Sequence, residues 1–391
     1  MKVVLMVLEW GKWRMKKIVV AHLVSVLLYP PVISLLQNLL SNGYKVFFVS
    51  CEVDSLAPEI LLHPNFKYTN IDIPKKRGIW NKISRRVRIT REGRNAVKKY
   101  MEEADVLWIT TDASLLYLGS IVKKYRYVMQ LMELLNYCSY VARFPFIRFP
   151  IEIYAENAWK VVVPEMNRAY IQKVHWNLSK TPYVLPNKPY QLCVNELSQD
   201  VFKAMEMLKN EKRKTLLYLG VLCEDRNFDL LFQAVERLDD YRLYIVGKPI
   251  LEAEGRTFNE QFSKYQNVRY LGYFPAPMHL ALLQYAHIGL LPYRPTKQNR
   301  YMSELNALYC APNKIFEYSG YGVPMLGSDV LGLKIPFEMY HIGVCYSDSA
   351  DSVIDALQVI EMNYEEMKKN CYKYFESVDL DRILKNILEY E

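Results

Sequence analysis

The chain has 391 residues, of which 51% are hydrophobic and 24% charged, and its formal net charge at pH 7 is +8. This length predicts two or three domains, each large enough for its own core, and the composition is that of an ordinary globular chain. No apolar run reaches the roughly 18 residues that a membrane-spanning helix requires.

The first half of the chain alternates buried strands with helices. Lys16–Leu23 is predicted to be a strand, Val32–Leu40 a helix that stops at Asn42-Gly43, and Lys45–Ser50 a second strand. This succession predicts a βαβ unit and a parallel sheet.

Three titratable side chains fall at the ends of predicted strands. His22 ends the first strand, Asp112 follows Asp105–Thr110, and Glu133 follows Arg126–Met132. Ligands of open α/β sheets bind outside the carboxyl ends of the strands. His22 could therefore take a proton from a hydroxyl of a bound substrate, and both carboxylates could contact that substrate. The alternatives are a histidine bonded within the strand-end packing and carboxylates that cap helices or stabilise loops.

A basic segment, Lys75–Lys99, carries eleven Lys or Arg residues and one acid, Glu92. Ile79, Ile83 and Val87 add a thin apolar stripe at helical spacing. The segment therefore suits an anionic membrane surface or a pyrophosphate-bearing acceptor, with a plain solvated helix face as the alternative. Basic charge beside an aromatic residue also suits nucleic acid, but no other feature of the chain supports nucleic acid as a partner. The residues that we assign to this basic patch are Trp80, Lys82, Arg85, Arg86 and Arg88.

The second half of the chain repeats the alternation of strands and helices. Six short β-rich runs with helical stretches between most of them predict a second doubly wound domain. The runs are Thr215–Leu219, Tyr241–Val246, Val268–Leu271, Ile288–Leu291, Val323–Leu326 and Gly343–Tyr346.

The last of the loops in this half leads into a short helix. Pro312 and Asn313 form a turn, Lys314–Ser319 is predicted to be the helix, and Glu317 lies one turn inside it. A loop-to-helix start offers free backbone N–H groups and a positive dipole end, which suit phosphate, while Glu317 could accept hydrogen bonds from sugar hydroxyls. No metal motif is persuasive, because Asp379-Leu380-Asp381 opens the final helix, where acids favour the N-terminus.

Residues 312–324 read Pro-Asn-Lys-x-Phe-Glu-Tyr-x-x-x-Gly-x-Pro. This segment resembles the donor-binding segment of GT-B-fold glycosyltransferases, similar to retaining family 4. The resemblance implies an α/β protein in which two doubly wound Rossmann-like domains face each other across a cleft. It implies an acceptor-binding domain at 15–190, a sugar-nucleotide-binding domain at 191–375 and a helix at 376–391 that returns to the first domain. Residues 1–14 are interpreted as an extension or a surface strand.

The resemblance also implies a donor site on the second domain. Its Glu would bind the nucleotide ribose, and glycine turns with basic residues would hold the diphosphate. The sequence departs from the family pattern at two positions: Val221 replaces a basic residue, and Tyr309 replaces the first carboxylate of a Glu-x7-Glu pair. Asn306, Tyr309 and Asn313 are the substitutes that the sequence offers for this carboxylate, and Glu304 lies nearby. The implied donor residues are Gly220, Arg226, Gly247, Lys248, Tyr293, Pro312, Asn313, Lys314 and Glu317.

The expected activity is transfer of a hexosyl group from a UDP- or GDP-linked sugar, without cofactor or metal, to a glycan or lipid-linked acceptor in cell-surface polysaccharide assembly. Retention is preferred, although His22 as a base would favour inversion. A sugar-nucleotide epimerase of the same fold and a non-catalytic partner subunit are the alternatives. Seven scattered cysteines without a secretory signal favour a reducing, cytoplasmic location, with peripheral binding to the inner membrane face.

Overall fold

The computed structural model describes residues 16–73, 79–138, 149–192, 194, 197–223, 225–249, 260–295 and 304–389. The predicted extension at 1–14 lies outside these residues, as does the start of the basic segment at 75–77. Within the described residues, no helix is both long enough and apolar enough to cross a membrane.

Seven parallel strands form the first sheet, in the order β3-β2-β1-β4-β5-β6-β7. The strands are β1 (Lys17–Ser25), β2 (Lys45–Cys51), β3 (Phe66–Asn70), β4 (Val106–Thr110), β5 (Tyr127–Gln130), β6 (Lys160–Val163) and β7 (Tyr183–Val184). The helices are α1 (Pro30–Ser41), α2 (Pro58–Leu61), α3 (Ile79–Met101), α4 (Asp112–Leu118), α5 (Ile151–Glu156) and α6 (Met166–His175).

The central strands of this sheet are apolar on both faces because helices cover both. In β1, Val19 packs into a core cluster on one face with Leu107, while Ile18 packs into the cluster on the other face with Trp108. Alternate residues of a strand point to opposite faces, so a run of apolar residues is what a strand buried on both sides requires.

Six parallel strands form the second sheet, in the order β10-β9-β8-β11-β12-β13. The strands are β8 (Lys214–Leu219), β9 (Tyr241–Val246), β10 (Val268–Gly272), β11 (Ile288–Leu291), β12 (Met325–Ser328) and β13 (Gly343–Tyr346). The helices are α7 (Gln199–Lys209), α8 (Asp229–Val235), α9 (Glu304–Leu308), α10 (Asn313–Gly320), α11 (Leu331–Tyr340), α12 (Ala350–Met362), α13 (Tyr364–Ser377) and α14 (Leu380–Leu388). The predicted α/β class with two doubly wound parallel sheets is confirmed.

One predicted strand begins later than expected. The sequence predicts it from Val323, whereas β12 runs from Met325 to Ser328. Pro324 has no N–H to donate to the ladder, and its carbonyl instead accepts the N–H of Gly289 at 2.9 Å. The strand therefore begins after the proline.

The last helix, α14, packs against the first domain. Leu384 and Ile387 are buried in the core cluster that also contains Ile18. The side-chain amide of Asn38 on α1 donates to the carbonyl of Leu380 at 3.0 Å. The chain thus crosses between the domains a second time after completing the second sheet.

Helix α3 extends beyond the sheet that it packs on. Gly93 lies against Leu23 near the end of β1, since a Cβ added at Gly93 would be 2.9 Å from the Leu23 side chain. Ile89, one turn earlier, is still buried in the same core cluster as Leu23, and the ten residues before it, 79–88, span about 15 Å along the helix axis at about 1.5 Å per residue. Trp80, Ile83 and Val87 are exposed there by 82%, 49% and 61%. The basic patch is therefore carried on the solvated N-terminal part of α3.

Candidate active site

A cavity of about 410 Å³ lies between the two domains, at the carboxyl ends of strands from both sheets. The first domain contributes Tyr29, Met132, Glu133 and Arg168 to its wall. All of the donor residues named from the sequence line this one cavity: Gly220, Arg226, Gly247, Lys248, Tyr293, Pro312, Asn313, Lys314 and Glu317. The tertiary structure thus gathers residues from four loops of the second domain opposite one wall of the first.

Two glycines let the ends of β8 and β9 approach closely. A Cβ at Gly247 would lie 1.7 Å from the carbonyl oxygen of Gly220, and Gly220 has a φ of +147°, which residues with side chains rarely adopt. Their own N–H groups are bonded within the sheet, to the carbonyls of Val246 and Gly272 at 2.8 Å. The glycines therefore shape the floor of the cavity and do not themselves offer amides to a diphosphate.

The start of α10 offers the amides instead. Pro312 is the N-cap, so Asn313 and Lys314 occupy the first helical turn, where N–H groups have no carbonyl four residues back to bond. Neither N–H has a hydrogen-bond partner within the described chain. This end of the helix is consequently suited to bind an anion.

Two cations flank the anion site. The guanidinium carbon of Arg226 lies 3.9 Å from the ring centre of Tyr293, and its Nη1 donates to the carbonyl of Asp225 at 3.2 Å. The Arg226 Nε has no hydrogen-bond partner among the described residues. The Tyr293 ring thus packs against the face of the guanidinium and the Asp225 carbonyl accepts from Nη1, which leaves other N–H groups of Arg226 to donate to paired phosphate oxygens.

Lys314 lies beside the end of β8. A Cβ at Gly220 would be 2.6 Å from its Nζ, which also stands 5.6 Å from the ring centre of Tyr218. Burial, and next the charge of Arg226, lower the pKa of Lys314 from 10.5 to about 8, against the opposing effect of Glu317. Its ammonium therefore lies next to the position where Val221 replaces the basic residue of the resembled family.

Glu317 is the buried acid of the cavity. The residue is 6% exposed, and within the described chain no hydrogen bond shorter than 3.5 Å reaches its carboxylate. The Nε2 atom of His279 lies 3.8 Å from Oε2 of Glu317. A buried carboxylate without donors is costly, so hydroxyl groups of a ligand would supply the missing hydrogen bonds.

Arg168 of α6 connects the two domains. Its side chain, 3% exposed, donates to the carbonyls of Tyr309 at 2.6 Å, Met132 at 3.0 Å and Asn306 at 3.0 Å. The side-chain oxygen of Asn306 also accepts the N–H of Leu134 at 2.9 Å. Asn306 and the backbone of Tyr309 are therefore engaged in the domain junction, at the positions considered as substitutes for the missing carboxylate.

The structure places the three acid–base candidates in different surroundings. Glu133 lines the cavity, whereas His22 and Asp112 do not. His22 is completely buried, and its ring centre lies 4.7 Å from that of Tyr29. Its Nδ1 lies 2.7 Å from Thr110 Oγ1. Burial lowers the pKa of His22 to about 3, which makes it a very weak base. The geometry thus favours the structural alternative for His22, correcting the expectation that it reaches a substrate.

Asp112 is the first residue of α4, directly after the N-cap Thr111, and is 8% exposed, so it lies at a helix start and outside the cavity lining. Asp379 caps α14 by accepting the N–H of Arg382 at 3.0 Å, as its position before the final helix predicts. Across the described ranges, no group of three His, Cys, Asp or Glu side chains could hold a metal ion.

Sequence reasoning missed Arg168 and His279. Arg168 sits in an ordinary amphipathic helix, and its carbonyl acceptors lie up to 141 positions away in the chain. His279 follows a loop without a recognisable motif. Neither carries a local signal, because the partners of both come from other parts of the chain.

Comparison with known proteins agrees with this architecture. Residues 213–360 match the family model described as glycosyl transferases group 1. No curated protein matches the chain by sequence at a significant level.

Solved structures match the whole fold. Sucrose-phosphate synthase from Thermosynechococcus elongatus is 16% identical with a TM-score of 0.68, over 95% of this chain and 97% of that one. HepE from Anabaena, solved with UDP and glucose, is 12% identical with a TM-score of 0.63, over 96% and 98%. A putative UDP-N-acetylglucosamine 2-epimerase from Listeria monocytogenes is 14% identical with a TM-score of 0.58, over 95% and 94%.

The narrower resemblance to retaining family 4 stays a prediction. The two sheets, the cavity between them and these matches agree on the broader assignment. The chain has the GT-B fold of glycosyltransferases, and its residues 213–360 match glycosyl transferases group 1.

Proposed function

We propose that this protein is a glycosyltransferase that transfers a hexosyl group from a UDP- or GDP-linked sugar to a hydroxyl of a glycan or lipid-linked acceptor. In the transfer, the bond between the anomeric carbon and the diphosphate oxygen breaks. A bond from the acceptor oxygen to that carbon forms, and the acceptor hydroxyl loses its proton. Glu133, the carboxylate of the first domain that lines the cavity, is the group available to take it.

The observation that carries this proposal is the pairing of cations and free amides with a single buried acid. The diphosphate would bind to Arg226, Lys314 and the start of α10, and the ribose hydroxyls to Glu317, all of which line the same cavity. Preorganised donors of this kind stabilise the charge that grows on a leaving diphosphate. They also provide positive charge without a metal ion, which supports metal-independent transfer.

A panel of sugar nucleotides tests this function. We expect one UDP- or GDP-sugar to raise the melting temperature, and Glu317→Gln to remove most of that shift because it removes the charged acceptor. Incubation of the stabilising donor with glycan and lipid-linked acceptors should then release the nucleoside diphosphate and form a glycoside. A panel in which no nucleotide shifts the melting temperature would reject the proposal.

An epimerase is the second candidate, because the absent first carboxylate leaves the sugar site undefined and one structural neighbour is titled a putative epimerase. Epimerisation would change the sugar while no acceptor is present. Product analysis without acceptor separates the two activities, and a protein that binds the donor but forms neither product would be the non-catalytic subunit.

The acceptor is proposed to lie at an anionic membrane surface, in cell-surface polysaccharide assembly on the cytoplasmic side. The support is the solvated N-terminal part of α3, where the exposed Trp80 and Val87 accompany the exposed Arg85 and Arg86. An exposed apolar and basic helix face binds anionic lipid through both burial and charge.

Vesicle binding tests this surface. Replacing Arg85 and Arg86 by Gln should weaken binding to phosphatidylserine vesicles by about thirtyfold at low salt, at about 1 kcal/mol per cation. The matched control replaces Lys98 and Lys99 by Gln, because these exposed lysines lie at the other end of the same helix. Equal effects of the two double variants would exclude a specific role for the patch.

A further inference from the structure

His279 faces the buried acid of the cavity, Glu317. It lies in a short 3-10 helix, Met278–Tyr285, and lines the same cavity as Glu317. Its Nε2 is 3.8 Å from Oε2 of Glu317, which is longer than a hydrogen bond but within ion-pair range. Hydrogen bonds in ligand-free sites are often long and shorten when the substrate binds.

The surroundings of the ring indicate which nitrogen carries the proton. The Nδ1 atom of His279 is buried and has no hydrogen-bond partner among the described residues, so a proton there would be left without an acceptor. A carboxylate can only accept, so the Nε2 that faces Glu317 is the nitrogen that gains by carrying a proton. His279 thus faces Glu317 as a donor.

We infer that His279 is a positioning residue for the donor nucleotide: when the nucleotide binds, Nε2 donates to Oε2 of Glu317 and leaves Oε1 directed at the ribose hydroxyls. The inference rests on the proposed function, because it deepens the role of Glu317. Without the imidazole, the carboxylate has no donor to fix its rotamer, and the selective contact with a ribose hydroxyl is lost. His279 itself does not touch the reacting atoms.

The experiment compares nucleoside diphosphates that differ in one hydroxyl. Dissociation constants are measured by calorimetry for UDP, 2′-deoxy-UDP and 3′-deoxy-UDP, and for the guanosine series in parallel. The wild-type protein should bind at least one deoxy form about tenfold more weakly, the effect of losing one hydrogen bond to a charged group. In H279L this discrimination should fall to less than about threefold, while H279Q, which keeps an N–H donor, should retain most of it.

A matched control comes from the same domain. His287 also faces a carboxylate, with Nε2 at 2.8 Å from Oε1 of Glu361, but neither residue lines the cavity. H287Q should therefore keep the full discrimination. If H279L does not fold, as judged by circular dichroism, H279M carries the same test, because its flexible apolar side chain can fill the space and has no donor.

The outcomes separate this inference from the proposed function. Discrimination that is unchanged in H279L, in a protein whose wild type discriminates, would overturn the role of His279 and leave the donor site intact. A wild type that binds UDP and its deoxy forms equally would reject the ribose role of Glu317, and the role of His279 with it. Loss of discrimination in H279Q as well as in H279L would contradict a donor role for the side chain at this position.

Discussion

The partly buried ammonium of Lys314 makes nucleotide binding depend on pH in a defined direction. The pKa of Lys314 is lowered to about 8 by burial and by Arg226. A bound diphosphate favours the charged ammonium and therefore raises this pKa. Binding thus takes up a proton, so affinity is highest at about pH 7 and below and declines as the pH rises through 8.

The size of the effect follows from the same value. With a pKa of about 8, the protonated fraction falls from about 90% at pH 7 to about 10% at pH 9. The dissociation constant for UDP or GDP should therefore rise roughly tenfold between these two pH values. At pH 8, each nucleotide that binds should take up about half a proton.

The titratable groups near Lys314 do not produce the same pH dependence of nucleotide affinity. Burial raises the pKa of the Cys223 thiol and raises that of Cys310 to about 12, so both thiols ionise less readily than a free cysteine. The second ionisation of a phosphate group, with a pKa of about 6, is complete by pH 7.

Isothermal titration calorimetry at pH 7, 8 and 9, in buffers of different ionisation enthalpy, measures both the affinity and the proton uptake. Lys314→Arg keeps a permanent charge and should abolish the pH dependence. Lys314→Met should bind weakly at every pH. The matched control is Lys248→Met: this exposed lysine of the cavity wall lies 4.5 Å from the ring of Tyr273, and its loss should leave the slope unchanged. A wild-type affinity that varies less than about twofold from pH 7 to 9, or a slope that persists in Lys314→Arg, would refute the reasoning.

Three further predictions concern the junction, the cavity floor and the acceptor side. Arg168→Met removes the donors to three carbonyls, so the free energy of unfolding in urea should fall by about 3 kcal/mol or more. Small-angle scattering should show a larger radius of gyration. Unchanged values for both would exclude a role of Arg168 in holding the two domains together. Gly247→Ala forces a Cβ onto the Gly220 carbonyl and should cost far more stability than Gly43→Ala, where the added Cβ meets nothing within 4 Å and the left-handed backbone costs about 1 kcal/mol. Glu133→Gln should lower kcat at least a hundredfold with little change in nucleotide affinity, and an equal loss of both would place Glu133 in donor binding instead.

Local sequence patterns predict the two doubly wound sheets, and the family resemblance predicts the residues of the donor cavity. Runs of apolar residues specify strands buried on both faces, and the turn before α10 specifies a helix start, so these features depend on neighbouring residues alone. Because parallel strands all end at one edge of a sheet, motifs at successive strand ends converge without further information. Gly220, Arg226 and Glu317 therefore come together as the motif order implies.

Only the tertiary structure shows which side chains at the strand ends face the cleft. His22 and Glu133 both follow strands of the first sheet, but His22 is covered by Tyr29 while Glu133 lines the cavity. Likewise, Lys314 lies beside Gly220 although 94 positions separate them, and Arg168 finds its acceptors across the domain junction. Such contacts depend on how loops and domains pack after the strands have formed, and no local pattern encodes that packing.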